Sequence, residues 1–359
     1  MDIKTKWSIT KTAREAWDAM LLDCKNAKTS IDLEMYIFSD DESTDPFIEV
    51  FCSKAKSGVH VSLLLDYWGS RDFKDSMREQ KLISSGVSIF YHNPIPYWRL
   101  NKFLKFFSRR DHRKIILIDK TIAHIGGVNI RSDMSLWKDV NIRLIGPVVG
   151  QVEDYFRRSY ESVKKTKRVT GYSRYDFVDD FKIIGSAPKI RQRYFLRNLV
   201  RQFKQARSRI YIQTPYLVPP PSIIRSLSKA ARGGIDVKIM VPRNSDSAFL
   251  DKASRVYFTH FLKAGINIYE YLDGMLHSKV CIIDDNWASI GSSNFDNLSL
   301  FDDYEANIAS TNSTFVSDLA KLYMDDLGVS QKVDLKIWKS RPFIEKIKEN
   351  ITIPIHAFL

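Results

Sequence analysis

The sequence has few cysteines, no long apolar run and fewer acidic than basic residues, and each shortage excludes a class of protein. Its three cysteines, Cys24, Cys52 and Cys281, are few and odd in number. They therefore argue against a disulfide framework and favour reduced thiols in a cytosolic-type environment. No stretch approaches the roughly 20 apolar residues of a membrane-spanning helix, and MDIKTKWSITKTAREAW at the start has no apolar signal-peptide core. We expect any contact with a membrane to be at its surface.

The shortage of acidic residues leaves the chain strongly basic. Lys and Arg number 55 against 42 Asp and Glu, a formal net charge of +13. This balance favours a polyanionic partner, which is nucleic acid, an anionic membrane surface or a phosphate-bearing substrate. The 359 residues, 44% of them hydrophobic, are enough for two domain-sized units.

An internal repeat organises the chain, because strand-like segments of the first half recur in the same order in the second. Helical patterns at 12–27, 221–234 and 247–265 alternate with these strands, which predicts an α/β fold with mixed or parallel sheets. We place the domain boundary in the basic stretch 164–176 and expect domains at 1–170 and 171–359. The matching segments are 31–38 with 210–217, 58–66 with 234–242, 86–94 with 265–273, and 123–130 with 288–295.

Each half also carries one copy of an unusual motif, HRKIILID (112–119) and HSKVCIID (277–284). Residues two apart on a strand share a face, so His112 projects with Lys114 and His277 with Lys279. Asp119 and Asp284 have the opposite parity, and we expect them to cap the strand or fix the next turn. Each Asp is followed by small and neutral polar residues, which let the backbone approach a ligand closely and can donate hydrogen bonds without adding charge. These residues are Gly126, Gly127 and Asn129 in the first half and Gly291, Ser292 and Asn294 in the second.

Brought together, these side chains suit the chemistry of a phosphate ester. Two ammonium groups and neutral donors can stabilise charge on phosphorus, so no metal or other cofactor is required. One neutral histidine can attack phosphorus while the other, protonated, donates to the leaving alcohol.

Such a histidine pair needs a carboxylate to orient each ring. Asp139 lies 27 residues after His112, and Glu305 lies 28 residues after His277, each at the start of a predicted strand. The competing interpretation of both carboxylates is an ordinary charge at a strand end.

The duplicated spacing H-x-K-x4-D-x6-G-[GS]-x-N resembles the signature of the phospholipase D superfamily. The stretches QTPYLVPP, ARGGIDVKIMVPRNSDS, FLKAGINIYEYLDGMLHSK and NFDNLS are most similar to bacterial cardiolipin synthases. The resemblance implies a pseudo-twofold, bilobal fold of two similar α/β/α sandwiches with mixed sheets. It also implies metal-free phosphatidyl transfer through a phosphohistidine. The implied roles are nucleophile for His112, general acid for His277, orientation of the histidines for Asp139 and Glu305, and phosphate binding for Lys114, Lys279, Asn129, Asn294, Ser292 and Gly127.

The first half has 14 extra residues before its motif, including YWRLNKFLKFFSRR (97–110). At helical spacing, apolar residues including Phe103 and Phe107 share one side, and Arg99, Lys102, Lys105, Arg109 and Arg110 share the other. This pattern is typical of a helix in a membrane interface, and we expect lipid contact from Trp98, Phe103, Phe106 and Phe107. An ordinary amphipathic helix covering the sheet, or a grip on single-stranded nucleic acid, remains an alternative.

Three activities share this chemistry: a phosphatidyltransferase, a phospholipase D that hydrolyses phospholipids, and a metal-independent nuclease. The resemblance favours the transferase. We expect phospholipid substrates, an anionic membrane surface as partner, a monomer, and a cytoplasmic protein peripherally associated with the inner membrane.

Overall fold

The computed structural model describes residues 4–94, 109–165, 174–188 and 193–358. Within them the helices are α1 (Ala13–Asn26), α2 (Asp45–Lys56), α3 (Met77–Ser84), α4 (Val148–Lys164), α5 (Tyr194–Gln205), α6 (Pro221–Arg232), α7 (Ala248–Lys263), α8 (Ser313–Gly328), α9 (Leu335–Lys339) and α10 (Phe343–Asn350). The strands are β1 (Lys6–Thr10), β2 (Ser30–Met35), β3 (His60–Asp66), β4 (Ser88–His92), β5 (Lys114–Ile118), β6 (Ile122–Gly126), β7 (Asn141–Ile145), β8 (Phe181–Ser186), β9 (Arg209–Gln213), β10 (Leu217–Val218), β11 (Asp236–Pro242), β12 (Asn267–Tyr271), β13 (Val280–Ile283), β14 (Trp287–Gly291), β15 (Phe295–Asp296), β16 (Glu305–Ser310) and β17 (Ser330–Lys332).

Two large mixed sheets repeat one topology, which confirms the predicted fold class. The first has the order β1-β7-β6-β5-β2-β3-β4, and the second β8-β16-β14-β13-β9-β11-β12, with β17 added beyond β12. In both, three strands pair in parallel, β2-β3-β4 in the first sheet and β9-β11-β12 in the second. The motif strand and the strands on its other side pair antiparallel. Every strand of the first sheet lies before residue 146 and every strand of the second after residue 180.

Three apolar layers hold the sheets. Helices α1 and α2 cover the outer face of the first sheet, and α5, α6 and α7 cover the outer face of the second. Between the two sheets, α4 and α8 contribute Tyr155 and Tyr323 to one layer that also contains Ile115 of the first sheet and Ile282 of the second. The inner layer is therefore shared, and it fixes the two halves against each other.

Two of the three predicted helices begin at side-chain caps. Thr12 accepts a hydrogen bond from Glu15 N at the start of α1, and Ser247 accepts one from Leu250 N at the start of α7. These bonds satisfy backbone donors that a first turn leaves unpaired. Gly265 follows α7 with φ +89, a left-handed conformation that glycine adopts without strain.

Asp119 and Asp284 lie at the ends of the motif strands, and their carboxylates accept backbone hydrogen bonds from other segments. Asp119 accepts from the backbone N–H groups of residues 28 to 30, and Asp284 accepts from those of residues 207 to 209. Both have positive φ, 51° in each case. Each carboxylate therefore ties the end of the motif strand to the start of a neighbouring strand.

Only the end of the 97–110 segment belongs to the described part of the chain. Residues 97–108, with Trp98, Phe103, Phe106 and Phe107, lie outside the described residues. Arg109 has φ +75 and Arg110 is 5% exposed, 3.5 Å from Asp66. The prediction that Arg110 lies on the basic side of a membrane-interface helix is therefore wrong, because its side chain is buried beside Asp66. All three cysteines are buried free thiols.

Candidate active site

The backbone brings each motif histidine to the opposite half of the molecule. His112 N donates to Tyr304 O at 3.0 Å, and Tyr304 N donates to Arg110 O at 2.9 Å. In the other direction, His277 N donates to Lys138 O at 2.8 Å. The segment leading into each motif strand thus runs beside the segment that carries a candidate carboxylate of the other half.

The side chains also pair across the two halves. His112 Nδ1 lies 2.9 Å from Glu305 Oε1, and His277 Nδ1 lies 2.6 Å from Asp139 Oδ2. The offsets in the sequence suggest a carboxylate from the same half for each ring, whereas the structure pairs each ring with the carboxylate of the other. Because Nδ1 is engaged, Nε2 is the nitrogen left for chemistry on each ring. Both histidines lie just before their strands, which begin at Lys114 and Val280.

The two carboxylates have different neighbours, because the two halves carry different residues at one matching position, Gly127 and Ser292. The Ser292 hydroxyl donates to Glu305 Oε2 and accepts from Ala306 N at 2.9 Å. At the matching position, a Cβ on Gly127 would overlap the Asp139 carboxylate. Ser292 and Gly127, which the resemblance places near the phosphate, each contact one of the two carboxylates.

Lys114 and Lys279 are almost fully buried, 1% and 3% exposed. Each donates from Nζ to the backbone carbonyl of its motif histidine. Burial lowers the pKa of Lys114 to about 7 and that of Lys279 to about 8, against the opposing influence of nearby carboxylates. The cost of burying ammonium groups is offset when an anion binds between them.

The same environment favours neutral imidazole. Burial and then the charge of Lys114 hold the pKa of His112 well below its usual range. Burial also lowers the pKa of His277, but the adjacent Asp139 carboxylate raises it in opposition. Burial raises the pKa of Glu305 to about 7. Near neutral pH Glu305 therefore carries less negative charge than an ordinary carboxylate, and it stabilises a protonated His112 less. His277 is accordingly the ring better placed to hold a proton.

The motif asparagines have fixed surroundings. Asn129 Oδ1 accepts from Ile37 N at 3.2 Å, which orients its amide. Asn294 Oδ1 is buried without a hydrogen-bond partner among the described residues. The Asn294 amide interacts with Asp296, whose pKa burial raises to about 7.

Comparison with known proteins identifies this arrangement. The model of the family "Cardiolipin synthase, PLD-like domain" matches residues 21–160 and 199–327. The chain belongs to that family.

Similar proteins with curated names are cardiolipin synthases. The chain is 30% identical to the major cardiolipin synthase of Bacillus subtilis over 94% of this chain and 72% of that protein. It is 29% identical to cardiolipin synthase 2 of Staphylococcus epidermidis over 96% of this chain and 72% of that protein. The crystal structure of phosphatidylserine synthase from Haemophilus influenzae matches 98% of this chain and 93% of its own, with a TM-score of 0.77 and 12% identity. At that identity the likeness shows the fold.

Aromatic rings that the sequence reasoning missed flank both histidines in this cardiolipin synthase family member. The Tyr36 ring lies 4.9 Å from the His112 ring, and Lys114 Nζ lies 5.1 Å from the Tyr36 ring. Trp137 lies 5.1 Å from the His277 ring. For Trp137 a signal existed in WKD, since it comes two residues before Asp139.

A buried pair of acidic residues, which contacts the segment before His112, was also not predicted from the sequence. Asp66 Oδ2 accepts from Asp111 N at 2.8 Å, and Asp303 Oδ1 accepts from Arg110 N at 2.8 Å. Burial raises the pKa of Asp66 to about 6 and that of Asp303 well above its usual range. These residues join the end of β3, the segment before His112 and the segment before Glu305. They therefore fix the backbone that leads into His112, the nucleophile candidate.

Among the described residues, no group of three or more histidines, cysteines and carboxylates is arranged to hold a metal ion.

We predict that Gly127→Ala lowers turnover about 10- to 100-fold, because the new methyl group displaces Asp139 and misplaces His277. Steady-state kinetics with a vesicle substrate measures the effect. The matched control is Gly150→Ala in α4, where an added Cβ meets nothing within 4 Å. It should keep full turnover and gain up to about 1 kcal/mol of stability. Full turnover in Gly127→Ala would contradict the crowding of Asp139.

We predict that Lys114→Met stabilises the fold while abolishing turnover. The pKa of Lys114 is about 7 in the folded protein, against an ordinary value of 10.5 for a lysine side chain in water. Between these two pH values, Lys114 is therefore more protonated in the unfolded chain than in the folded protein. As a result, the free energy of unfolding of the wild type increases as pH rises through this range. Lys114→Met should be about 1 to 4 kcal/mol more stable near pH 7, with a smaller advantage toward pH 10.

Urea unfolding at several pH values measures this difference. The control is Lys252→Met on the exposed face of α7, which should change stability by less than about 0.5 kcal/mol. A destabilised Lys114→Met at pH 7 would contradict the burial penalty.

Proposed function

We propose that the protein is a phosphatidyltransferase of the cardiolipin synthase type. It transfers a phosphatidyl group from one phospholipid, phosphatidylglycerol or a similar lipid, to the hydroxyl of another through a phosphohistidine. One observation carries the proposal: two histidines, each held at Nδ1 by a carboxylate of the opposite half, stand with two buried lysines in one cluster.

In the first step, neutral His112 attacks phosphorus through Nε2. A P–N bond forms and the bond from phosphorus to the leaving glycerol oxygen breaks. Protonated His277 donates its Nε2 proton to that oxygen, so glycerol leaves as a neutral alcohol. The lowered pKa of His112 and the Asp139 carboxylate beside His277 support this division of roles.

In the second step, the acceptor lipid's hydroxyl enters beside the now neutral His277. His277 Nε2 takes the hydroxyl proton, the oxygen attacks phosphorus, and the P–N bond breaks. Neutral His112 and protonated His277 are regenerated, and the product is a lipid with two phosphatidyl groups.

Lys114, Lys279, Asn129 and Asn294 stabilise the negative charge on the phosphoryl oxygens in both steps. The two ammonium groups supply the charge that metal ions supply in other phosphoryl-transfer enzymes. We therefore assign no metal to the reaction. Ser292 and Gly127 act through the carboxylates they contact, Glu305 and Asp139.

Hydrolysis is the second candidate, because it shares the first step and differs only in using water for the second. Family membership favours transfer to a lipid hydroxyl. The nuclease alternative is supported only by the basic net charge and by the basic and aromatic residues of 97–110.

A product assay tests the function. Purified protein is incubated with phosphatidylglycerol vesicles, and lipids and glycerol are measured by mass spectrometry, with single-stranded DNA in a parallel reaction. Cardiolipin with free glycerol, formed equally in a chelating buffer, is the expected result. Phosphatidic acid alone would identify a hydrolase, and intact lipid with degraded DNA would identify a nuclease. Activity lost in chelator and restored by added metal would contradict the assignment without metal.

The substrate class places the protein at a membrane, and we propose peripheral attachment of a monomer to the cytoplasmic face of the inner membrane. No helix in the described part of the chain is long and apolar enough to cross a bilayer. We retain the domain division 1–170 and 171–359 as part of the proposal. It is supported by the separation of the two sheets along the chain.

We predict that replacing Phe103, Phe106 and Phe107 by Ser weakens binding to anionic vesicles about tenfold, since each aromatic ring removed takes apolar area from the lipid interface. Vesicle co-sedimentation measures this. Unchanged binding would show that the segment is ordinary cover for the sheet.

A further inference from the structure

Helix α10 is amphipathic, but its apolar side faces solvent. Phe343, Ile344 and Ile347 are 76%, 58% and 40% exposed, and Ile351 directly after the helix is 69% exposed. The one buried side chain of the helix is Glu349. A helix that covers a protein core shows the reverse pattern.

The exposed residues form one stripe. At about 100° per residue, positions 343, 344, 347 and 351 fall within an arc of about 100°, and position 349 lies on the other side. On that inner side, Glu349 makes a bidentate ion pair with Arg341, at 2.9 and 3.1 Å. The inner side of the helix is thus tied by a polar contact to the segment that precedes it, and the apolar stripe is left uncovered.

Residues near the helix in the sequence are also apolar and exposed. Ile337 of α9 is 72% exposed and Ile353 is 48% exposed. We call Ile337, Phe343, Ile344, Ile347, Ile351 and Ile353 the C-terminal apolar surface. Exposed large apolar side chains elsewhere in the described chain are scattered along the sequence, whereas these six fall within 17 residues. Such concentration marks a surface that binds something.

The net positive charge around this surface favours an anionic partner. Residues 332–355 contain six basic and three acidic residues, and Arg341 already pairs with one of the three, Glu349. Lys336, Lys339 and Lys348 are exposed. Long basic side chains beside an apolar stripe can reach lipid headgroups while the stripe enters the acyl boundary.

The C-terminal apolar surface is also joined to the candidate active site. Asn297, three residues after the phosphate-binding candidate Asn294, donates from Nδ2 to His356 O at 2.7 Å. The Tyr257 hydroxyl lies 3.0 Å from His356 Nδ1, and Trp338 Nε1 donates to Thr259 at 3.2 Å. These contacts tie the C-terminal segment to α7 and to the loop after Asn294.

We propose that the C-terminal apolar surface docks the enzyme on an anionic lipid bilayer, with α10 lying in the interface. The surface is distinct from the 97–110 segment in sequence. The inference rests on the proposed function for its biological sense, because an enzyme acting on bilayer lipids needs its active site held at the membrane. Its physical content is a lipid-binding surface, which can be measured without catalysis.

The test uses the full chain and vesicles of phosphatidylglycerol or of phosphatidylcholine. The variant carries Phe343→Ser, Ile347→Ser and Ile351→Ser. The matched control carries Leu22→Ser, Met77→Ser and Ile83→Ser, three exposed apolar residues on α1 and α3 that are 62%, 80% and 55% exposed. Partition to phosphatidylglycerol vesicles should fall at least about tenfold in the variant and less than about twofold in the control.

Two further measurements separate the outcomes. Lys336→Glu with Lys348→Glu should weaken binding to phosphatidylglycerol vesicles and leave binding to phosphatidylcholine vesicles unchanged. Turnover of a short-chain lipid below its micellar concentration should be equal in wild type and the serine variant, which keeps loss of docking apart from damage to the site.

Unchanged vesicle partition in the serine variant would overturn the proposal. A wild-type dimer that the variant dissociates, with vesicle binding retained, would also overturn it and make the surface a subunit interface. Lost vesicle binding in a protein that yields no transfer product would uphold the docking surface and refute the proposed function.

Discussion

His112→Ala is expected to lower phosphatidyl transfer by at least about 10⁴-fold, because it removes the atom that bonds to phosphorus. His277→Ala is expected to cause a comparable loss with phosphatidylglycerol, since glycerol would leave as an unprotonated alkoxide. The two variants should differ with a p-nitrophenyl phosphatidyl ester, whose leaving group needs no proton. His277→Ala should release p-nitrophenol in a burst close to that of wild type, and His112→Ala should release none.

The control for both is His60→Ala, an exposed residue at the start of β3, which should keep full turnover. Circular dichroism and thermal unfolding check that each variant folds. A burst from His112→Ala but not from His277→Ala would reverse the two roles, and full turnover of either variant would refute a two-histidine mechanism.

Asp139→Asn and Glu305→Gln are expected to lower turnover of phosphatidylglycerol by about 10² to 10⁴-fold, since each amide leaves its histidine without an orienting carboxylate. The exchange between halves makes the test specific. Asp139 contacts His277, the proposed general acid, so Asp139→Asn should retain most of the p-nitrophenol burst. Glu305 contacts His112, the proposed nucleophile, so Glu305→Gln should lose it.

The two variants should also differ in pH dependence. Asp139 raises the pKa of His277, so Asp139→Asn should lower that pKa. The general acid would then lose its proton at lower pH, and the alkaline limb of the rate profile should move toward lower pH. Glu305→Gln should leave that limb in place. The opposite assignment of the two effects would mean that each carboxylate serves the histidine of its own half.

Much of the fold follows from the sequence, because the repeat fixes the order of elements and the motif marks one strand in each half. Strand parity predicts a structural role for Asp119 and Asp284, and both carboxylates accept backbone hydrogen bonds from the segment before a neighbouring strand. The candidate histidines and lysines of the site come from two matching motifs, HRKIILID and HSKVCIID. The local spacing supplies this information because each motif lies along a single extended segment.

Contacts between the halves could not be read from local spacing. The offsets of 27 and 28 residues favour carboxylates from the same half, whereas backbone pairing of His112 with Tyr304 and of His277 with Lys138 exchanges them. The burial of Arg110 depends on Asp66 and Asp303, which are distant in sequence. The solvent-facing stripe of α10 is amphipathic in sequence, and only the tertiary structure shows which side is covered.

Trapping the covalent intermediate tests the central claim most directly. His277→Ala is mixed with the p-nitrophenyl phosphatidyl ester, quenched under alkaline denaturing conditions that preserve phosphohistidine, digested and mapped by mass spectrometry. A phosphatidyl adduct on His112, absent when His112→Ala is added, is the predicted result. An adduct on another residue, or turnover without any adduct, would contradict a phosphohistidine on His112.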